Sequence, residues 1–281
     1  MQDAAAHCEA LVRAADRDRY LAALFAPAEH RGALNALYAF NLEVARVREL
    51  VHEPLAGEIR LQWWSDALGG ERRGEVEAHP VASALLAAIE RYELPVEPLA
   101  ASIEARRFDL YDEPMATLAD LEAYAERASC NLIALAARIL AGGREAQIGA
   151  LARHAGLAQA IAGLLKAFPV HVARGQMFVP LEILDRHGAG RPAGGPATAE
   201  LRAALAETRL AARRHLAQAR DLIAAAPPAV MPALLPAALA GPTLARMERR
   251  GYDPFVPVEI APWRRQWLIW RAARRPQRMF D

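Results

Sequence analysis

The stretch LARHAGLAQAIAGLLKAFPVHVARGQMFVP, which spans residues 151–180, decides how the rest of the sequence is interpreted. Its first two-thirds predict a buried helix on which Gly156, Ala160, Gly163 and Ala167 form one narrow face. Small residues on one helix face let another backbone or a ligand come close. The stretch therefore predicts either a close helix contact or the wall of a cavity.

The helical pattern of this stretch is interrupted at Phe168-Pro169. Proline in a helix interior removes a backbone hydrogen bond and clashes with the preceding turn, so we expect the helix to end or kink here. Lys166, His171 and Arg174 surround the interruption. The sequence thus predicts basic groups at the mouth of a cavity, with no obvious nucleophile or metal cage beside them.

The composition limits the class of protein. The 281 residues contain 34 basic and 33 acidic side chains, and this near balance argues against a nucleic-acid partner. The two cysteines, Cys8 and Cys130, indicate neither a disulfide framework nor a zinc site. We find no signal-peptide pattern and no apolar window of about 18 residues, and therefore expect a cytoplasmic protein.

Hydrophobic periodicity of about 3.6 residues recurs along the whole chain, and alternation with a period of two persists nowhere. Thr117 and Asp120 have the spacing of a capping box at the start of one helix. The pattern predicts a single all-α domain over residues 1–281. The predicted helices cover residues 5–24, 28–51, 58–68, 80–92, 99–110, 118–141, 151–168, 197–225, 229–240 and 262–273.

Four segments, in this order and spacing, resemble the squalene/phytoene synthase family. No single segment is specific to the family, but the set is. The resemblance implies the isoprenoid (terpenoid) synthase fold, a helical bundle around a central cavity. The segments are RYLAALFAPAEHRGALNALYAF (19–40), IRLQWWSDAL (59–68), DLYDEPMATLADLEAYAERAS (109–129) and GLAQ…ARGQMFVPLEIL (156–184).

The family's chemistry depends on Mg²⁺ held between two Asp-x-x-x-Asp motifs on facing helices. Oxygen ligands at positions i and i+4 share a helix face, and the metal ions neutralise the departing diphosphate. In this sequence the first motif falls on Ala45 and Glu49, and the second falls on Ala167 and His171. Three of the four carboxylates are absent. We therefore expect no metal cofactor, and Mg²⁺ only if the protein is an active synthase after all.

The former motif positions and their basic neighbours form a candidate site for an anion or a cavity ligand. We expect either a Glu49–Arg46 pair or a Glu49–His171 pair in place of the metal cluster, since a buried unpaired charge is costly. His171 alternatively serves as a hydrogen-bonded side chain at a kinked helix end. The candidate residues are Arg46, Glu49, Arg60, Gln159, Lys166, His171 and Arg174.

The segments AFNLEVARVRE and LLKAFPVHVARGQMFVP resemble a mitochondrial subgroup of the family that assists the assembly of respiratory complex I, and the composition, rich in Ala and Arg, suggests a bacterial relative of it. That resemblance implies a non-catalytic protein whose partners are complex I subunits or assembly intermediates. Two alternatives stay open: an active prenyl-diphosphate synthase of the squalene/phytoene type, and a non-catalytic protein that binds isoprenoid or lipid in its cavity.

The C-terminal segment WRRQWLIWRAARRPQRMF contains Trp263, Trp267 and Trp270 at positions i, i+4 and i+7, among several arginines. We expect these tryptophans to pack inward as part of the last helix of the bundle; the alternative is an aromatic stripe that lies in a membrane interface or docks on a partner. The arginines are suited to an anionic lipid surface or an acidic partner. The segment thus predicts peripheral contact with the cytoplasmic face of the inner membrane.

Overall fold

The fold was analysed in a computed structural model, which describes residues 2–51, 53–111, 113–192 and 194–281. These residues form helices and no strand. The α-helices, numbered α1 to α17 in chain order, are Gln2–Ala15, Arg17–Ala23, Ala28–Ala45, Val47–Leu50, Pro54–Gly69, Arg73–Ala78, Pro80–Tyr92, Glu97–Phe108, Leu118–Ala125, Asn131–Leu140, Gly149–Lys166, Phe168–Ala173, Leu181–Arg186, Ala199–Leu222, Met231–Leu234, Ala240–Met247 and Pro262–Arg274. The predicted all-α class is confirmed.

Local sequence signals explain where several helices begin and end. Thr117 and Asp120 form the predicted capping box: each side chain accepts a hydrogen bond from the other residue's backbone N–H, at 3.1 and 3.0 Å. The helix predicted over residues 5–24 is divided into α1 and α2, because the Asp16 side chain accepts a hydrogen bond from the Arg19 backbone N–H. Helix α5 begins at Pro54 rather than at Glu58, since proline fits the first turn of a helix.

The helices group into two compact units, each assembled from three stretches of the chain. Unit 1 consists of Met1–Tyr111, Asn131–Gly149 and Ala225–Pro236. Unit 2 consists of Asp112–Cys130, Ala150–Ala224 and Ala237–Asp281. The interpretation of residues 1–281 as one domain stays a prediction.

Unit 1 is built on helices α1, α3 and α7, whose apolar faces supply its core. Leu37, Phe40 and Leu85 are fully buried there. The ring of Trp64 on α5 meets the ring of Phe40 edge to face, with centroids 5.0 Å apart. Trp63 lies at the rim, and its Nε1–H donates to Glu75 Oε2 at 2.7 Å. The two tryptophans of α5 therefore serve the packing of unit 1.

Unit 2 contains the close approach predicted for residues 151–180. Between α9 and α10 the chain forms a π-helical segment, Glu126–Cys130, which lies against α11. A Cβ atom added at Gly156 would lie only 2.6 Å from Cys130 Sγ and 2.8 Å from Cys130 Cα. Gly163, on the same helix, is exposed and has no such neighbour within 4 Å. The face of α11 that carries small residues therefore packs closely against Cys130 at Gly156.

One segment corrects the expectation about membrane spans. Residues Pro228–Met247 are 20 residues long with a mean hydropathy of 1.4, so they are apolar enough to cross a membrane. However, 78% of the most apolar window is buried inside the protein. The segment is also divided into short α-helical and 3₁₀ pieces that include α15 and α16. These features are typical of a core segment in a globular protein.

We predict that Gly156→Ala destabilises the protein. The added methyl group would meet a backbone atom, which cannot rotate away, and overpacking of this kind costs about 1–3 kcal/mol. That cost outweighs the gain of about 1 kcal/mol that alanine brings to a helix interior. The measurement is the free energy of unfolding in urea at neutral pH.

Gly163→Ala is the matched control, because it adds the same methyl group to the same helix where space is open. We expect it to stabilise the protein by about 0.5–1 kcal/mol. An equal stabilisation by Gly156→Ala would contradict the close approach.

Candidate functional site

The first motif position lies at a break between two helices of unit 1. Helix α3 ends at Ala45, and α4 begins at Val47. Arg46 between them has φ −92° and ψ 0°. Ala45 and Glu49 therefore do not lie on one continuous α-helix, and the i, i+4 geometry that would aim two ligands at one metal ion is interrupted.

Glu49 is paired with Arg46, which is one of the two arrangements expected from the sequence. Arg46 Nε lies 3.7 Å from a Glu49 carboxylate oxygen, and both side chains are nearly half exposed. An exposed pair of this kind contributes little to stability. The alternative Glu49–His171 pair would join residues of different units, and it stays a prediction.

The second motif position lies at a helix break in unit 2, as the sequence predicted. Helix α11 ends at Lys166, Ala167 has φ −85° and ψ 2°, and α12 begins at Phe168. Pro169 stands in the first turn of α12, where its missing N–H leaves no hydrogen bond unmade. The break thus separates Ala167 from the helix that carries His171.

His171 is a half-buried, neutral side chain. Its ring lies 4.5 Å from the ring of Phe178, measured between centroids. Burial, and secondly the nearby Arg174 guanidinium, lower the pKa of His171 to about 4. His171 is therefore uncharged at neutral pH and cannot neutralise a diphosphate by its own charge.

One void beside His171 within unit 2 is small. A void of about 10 Å³ is lined by aliphatic and aromatic side chains, among them Leu121, Ile161 and Phe168. That volume is close to the smallest that holds one water molecule. An isoprenoid chain does not fit there, and the central ligand cavity stays a prediction.

The other candidate residues are distributed over both units. Arg60 is exposed on α5 of unit 1. In unit 2, Gln159 is partly buried on α11, Lys166 is the last residue of that helix, and Arg174 is exposed at the end of α12. Lys166, His171 and Arg174 lie at or near the same helix break, and the cavity mouth expected beside them stays a prediction.

The residues at the motif positions do not fit Mg²⁺. This ion prefers several oxygen ligands in octahedral geometry. Here the positions offer one carboxylate, two alanines and one neutral imidazole. Among the residues that the structure describes, no group of three or more His, Cys, Asp or Glu side chains could hold a metal ion.

Comparison with known proteins establishes the family. The family model for squalene/phytoene synthase matches residues 12–271. The chain belongs to the squalene/phytoene synthase family. Among solved structures, a dehydrosqualene synthase with bound ligand has a TM-score of 0.85 at 18% identity, covering 99% of this chain and 97% of that one. A squalene synthase from Alicyclobacillus acidocaldarius has a TM-score of 0.77 at 24% identity, covering 90% and 96%. The predicted isoprenoid synthase fold is thereby confirmed.

The similar relatives within the family include proteins named for complex I. The rat protein named NADH dehydrogenase (ubiquinone) complex I, assembly factor 6, is 30% identical over 257 residues, which cover 91% of this chain and 77% of the relative. The human protein of that name is 30% identical over 253 residues, covering 89% and 76%. The predicted likeness to the assembly-factor subgroup of the family is confirmed.

Sequence reasoning missed a polar chain that joins three helices of unit 2. His154 Nδ1 on α11 lies 2.9 Å from His215 Nδ1 on α14, and His215 Nε2 lies 3.1 Å from Glu122 Oε1 on α9. Arg153 pairs with Glu122 and Glu126 beside them. Burial, followed by His215, lowers the pKa of His154. The two histidines are 61 positions apart in the sequence, which leaves no spacing signal, so only the fold reveals the contact.

The exposure of the three tryptophans in the C-terminal segment contradicts the prediction that they pack inward. Trp263, Trp267 and Trp270 are 70%, 47% and 52% exposed. Helix α17 packs inward through its opposite face, which carries the buried residues Ile269 and Ala272. Of the two apolar faces of this helix, the aliphatic one is in the core. This member of the family therefore presents an aromatic stripe to its surroundings.

We predict that His171 weakens the protein in acid. Its pKa is about 4 in the folded state and about 6.5 in the unfolded chain, so the unfolded chain binds the proton first as pH falls. This difference should remove about 2 kcal/mol of stability between neutral pH and about pH 5. The measurement is the free energy of unfolding of the wild type and of His171→Gln at both pH values. An equal acid loss in the variant would contradict the assignment.

Glu43 on α3 should change the stability of the protein with pH in the opposite direction to His171. Burial raises the pKa of Glu43 to about 7, although His79 Nε2 lies 3.5 Å from its carboxylate. His79 gives little charge compensation because burial, and secondly His7, lower its own pKa. The folded state releases the Glu43 proton at a higher pH than the unfolded chain does. The contribution of Glu43 to the free energy of unfolding therefore falls as pH rises through about 7. Glu43→Gln should therefore gain stability in base while leaving the effect of His171 in place.

Proposed function

We propose that this protein is a non-catalytic member of the squalene/phytoene synthase family that assists the assembly of respiratory complex I. The observation that carries the proposal is which residues occupy the two motif positions and where those positions lie in the helices. Three of their four carboxylates are replaced, by Ala45, Ala167 and His171, and each position lies at a helix break.

The chemistry of the replaced residues supports the absence of turnover. Departure of a diphosphate requires cations that neutralise its developing charge. One exposed Glu49 beside Arg46 is a poor Mg²⁺ ligand set, and a neutral His171 supplies no positive charge. Lys166 and Arg174 remain as fixed cations at the second break. They could attract an anion, but they do not replace a metal cluster.

The names of the relatives support the assembly role. Proteins from rat and human that match about nine-tenths of this chain are named complex I assembly factor 6. The synthases that share the fold are less than 25% identical to this chain, so their likeness bears on the fold alone. The partners proposed here are accordingly complex I subunits or assembly intermediates.

A membrane-bound partner requires a route to the membrane, and helix α17 is suited to provide it. Its exposed tryptophans can lie at the boundary between lipid headgroups and acyl chains. Arginines near an anionic surface contribute about 1 kcal/mol each at low ionic strength. We place the protein at the cytoplasmic face of the inner membrane, attached peripherally and released by salt.

The absence of catalysis is directly testable. The purified protein, incubated with Mg²⁺ and farnesyl or geranylgeranyl diphosphate, should release no pyrophosphate above the rate without protein. Each 1.36 kcal/mol of lost transition-state stabilisation reduces a rate tenfold, and loss of the metal cluster should cost several such steps. A dehydrosqualene synthase is the positive control. Formation of squalene, phytoene or their cyclopropyl precursors at ordinary enzyme rates would overturn the proposal.

The assembly role is tested in cells that lack the gene. We expect them to accumulate less complete complex I on native gels, and the wild-type chain to restore it. A variant with Gln at Arg271, Arg274, Arg275 and Arg278 should move to the soluble fraction at low salt without unfolding, because none of these side chains is in the core. Normal complex I in the deletion strain would reject the assembly role. A wild-type protein that is fully soluble at low salt would reject only the membrane part.

A further inference from the structure

A basic pocket lies between α16 and α17, in unit 2. Its volume is about 390 Å³, within the range of about 300–1,000 Å³ that is usual for small-molecule sites. One wall is apolar and is formed by Ile260, Leu268 and Trp267. The charged lining residues are Arg246, Arg249, Arg264, Arg271, Arg278 and Asp281.

The positive charge of this pocket is poorly compensated by the protein. Arg278 and Asp281 form only a loose pair at 3.9 Å, with both side chains exposed. The neighbouring Glu248 is already engaged by two hydrogen bonds from Arg213, at 2.7 and 2.9 Å. Within the described part of the chain, no ion pair is formed by Arg246, Arg249 or Arg264.

The arrangement of the arginines suits a phosphate group. Arginine presents a planar fork of donors that matches phosphate oxygens, and such charge-assisted hydrogen bonds are strong. Arg271 is oriented in advance, because its guanidinium lies 5.5 Å from the centre of the Trp267 ring. The arginines that line the pocket come from two parts of the chain: Arg246 on α16 and Arg249 just after it, and Arg264 and Arg271 on α17.

The surroundings of the pocket indicate where the phosphate comes from. Trp263 and Trp270 lie on the same face of α17 as Trp267, which lines the pocket, and they are 70% and 52% exposed. Amphipathic aromatic rings of this kind are enriched at the level of lipid headgroups. A soluble phosphate compound would need the arginines but would not need exposed tryptophans beside them.

We infer that the pocket between α16 and α17 is a binding site for the phosphate of an anionic phospholipid headgroup. The inference rests on the membrane contact proposed above and gives it a specific ligand site. The phosphate lies among the guanidinium groups of the pocket, and Trp263 and Trp270 enter the headgroup layer beside it. Attachment to the membrane thus depends on the positions of the arginines as well as on their number.

The test compares two double variants that remove equal charge from exposed arginines. The pocket variant carries Arg249→Gln and Arg264→Gln. The control variant carries Arg274→Gln and Arg275→Gln, which lie on or next to α17 but outside the pocket. Binding is measured by cosedimentation with vesicles of phosphatidylcholine, with and without phosphatidylglycerol. Circular dichroism and the melting temperature confirm that both variants stay folded.

We expect the pocket variant to bind phosphatidylglycerol vesicles at least about tenfold more weakly than the control variant. Glycerol phosphate at constant ionic strength should compete with the vesicles for the wild type, and chloride should not. Equal losses in the two variants would overturn the pocket and leave general electrostatic attachment, as proposed above, intact.

The remaining outcomes separate the source of the phosphate. Binding of glycerol phosphate without any vesicle binding, weakened in the pocket variant, would support the phosphate site but overturn its lipid source and the membrane contact. Failure of the wild type to bind either vesicles or glycerol phosphate would overturn the inference completely. In that case an assembly role through a soluble partner would still stand.

Discussion

The contact on which unit 2 depends is the approach of α11 to the π-helical segment at Gly156. A side chain at this position would meet the Cα of Cys130 at 2.8 Å. The thiol of Cys130 donates to the Arg153 carbonyl oxygen at 3.2 Å, and burial raises its pKa to about 12, so it keeps its proton and remains a donor. The contact fixes α11, which determines where its C-terminal end and the break at Ala167 lie. It also holds His154 within reach of His215.

Each of the two motif positions predicted from the sequence lies at a helix break and carries alanine as its first residue. A continuous helix would aim residues i and i+4 at one point, which is useful when both carry carboxylates and a metal ion lies between them. With alanine at positions 45 and 167, no ligand set requires that alignment. The remaining groups reduce their charge locally: Glu49 pairs with Arg46, and His171 is held neutral by burial. The basic side chains of Lys166 and Arg174 remain beside the second position.

Most of the helices could be predicted because their signals are local. Periodicity predicted the long helices, the Thr117–Asp120 capping box began α9 as expected, and Pro169 marked the break after α11. The family resemblance predicted the fold. The π-helical segment could not be predicted, because the apolar residues from Leu121 to Leu135 fit an uninterrupted α-helix equally well. The Glu122–His215–His154 chain was also inaccessible, since its members meet only through tertiary packing.

The orientation of α17 shows which of its two apolar faces enters the core. Trp263, Trp267 and Trp270 lie on one face, and Ile269 and Ala272 lie on the other. A buried tryptophan needs a hydrogen-bond partner for its indole N–H, whereas isoleucine and alanine need none, so the aliphatic face enters the core at lower cost. Once the aromatic face is outside, arginines can stack over it without losing their hydration, as Arg271 and Arg274 do over Trp267 and Trp270, at 5.5 and 5.8 Å. Burial of the aliphatic face of α17 therefore exposes the tryptophan rings, and it also orients the arginines beside the basic pocket. Among the residues that line this pocket, five arginines stand beside one carboxylate side chain, that of Asp281.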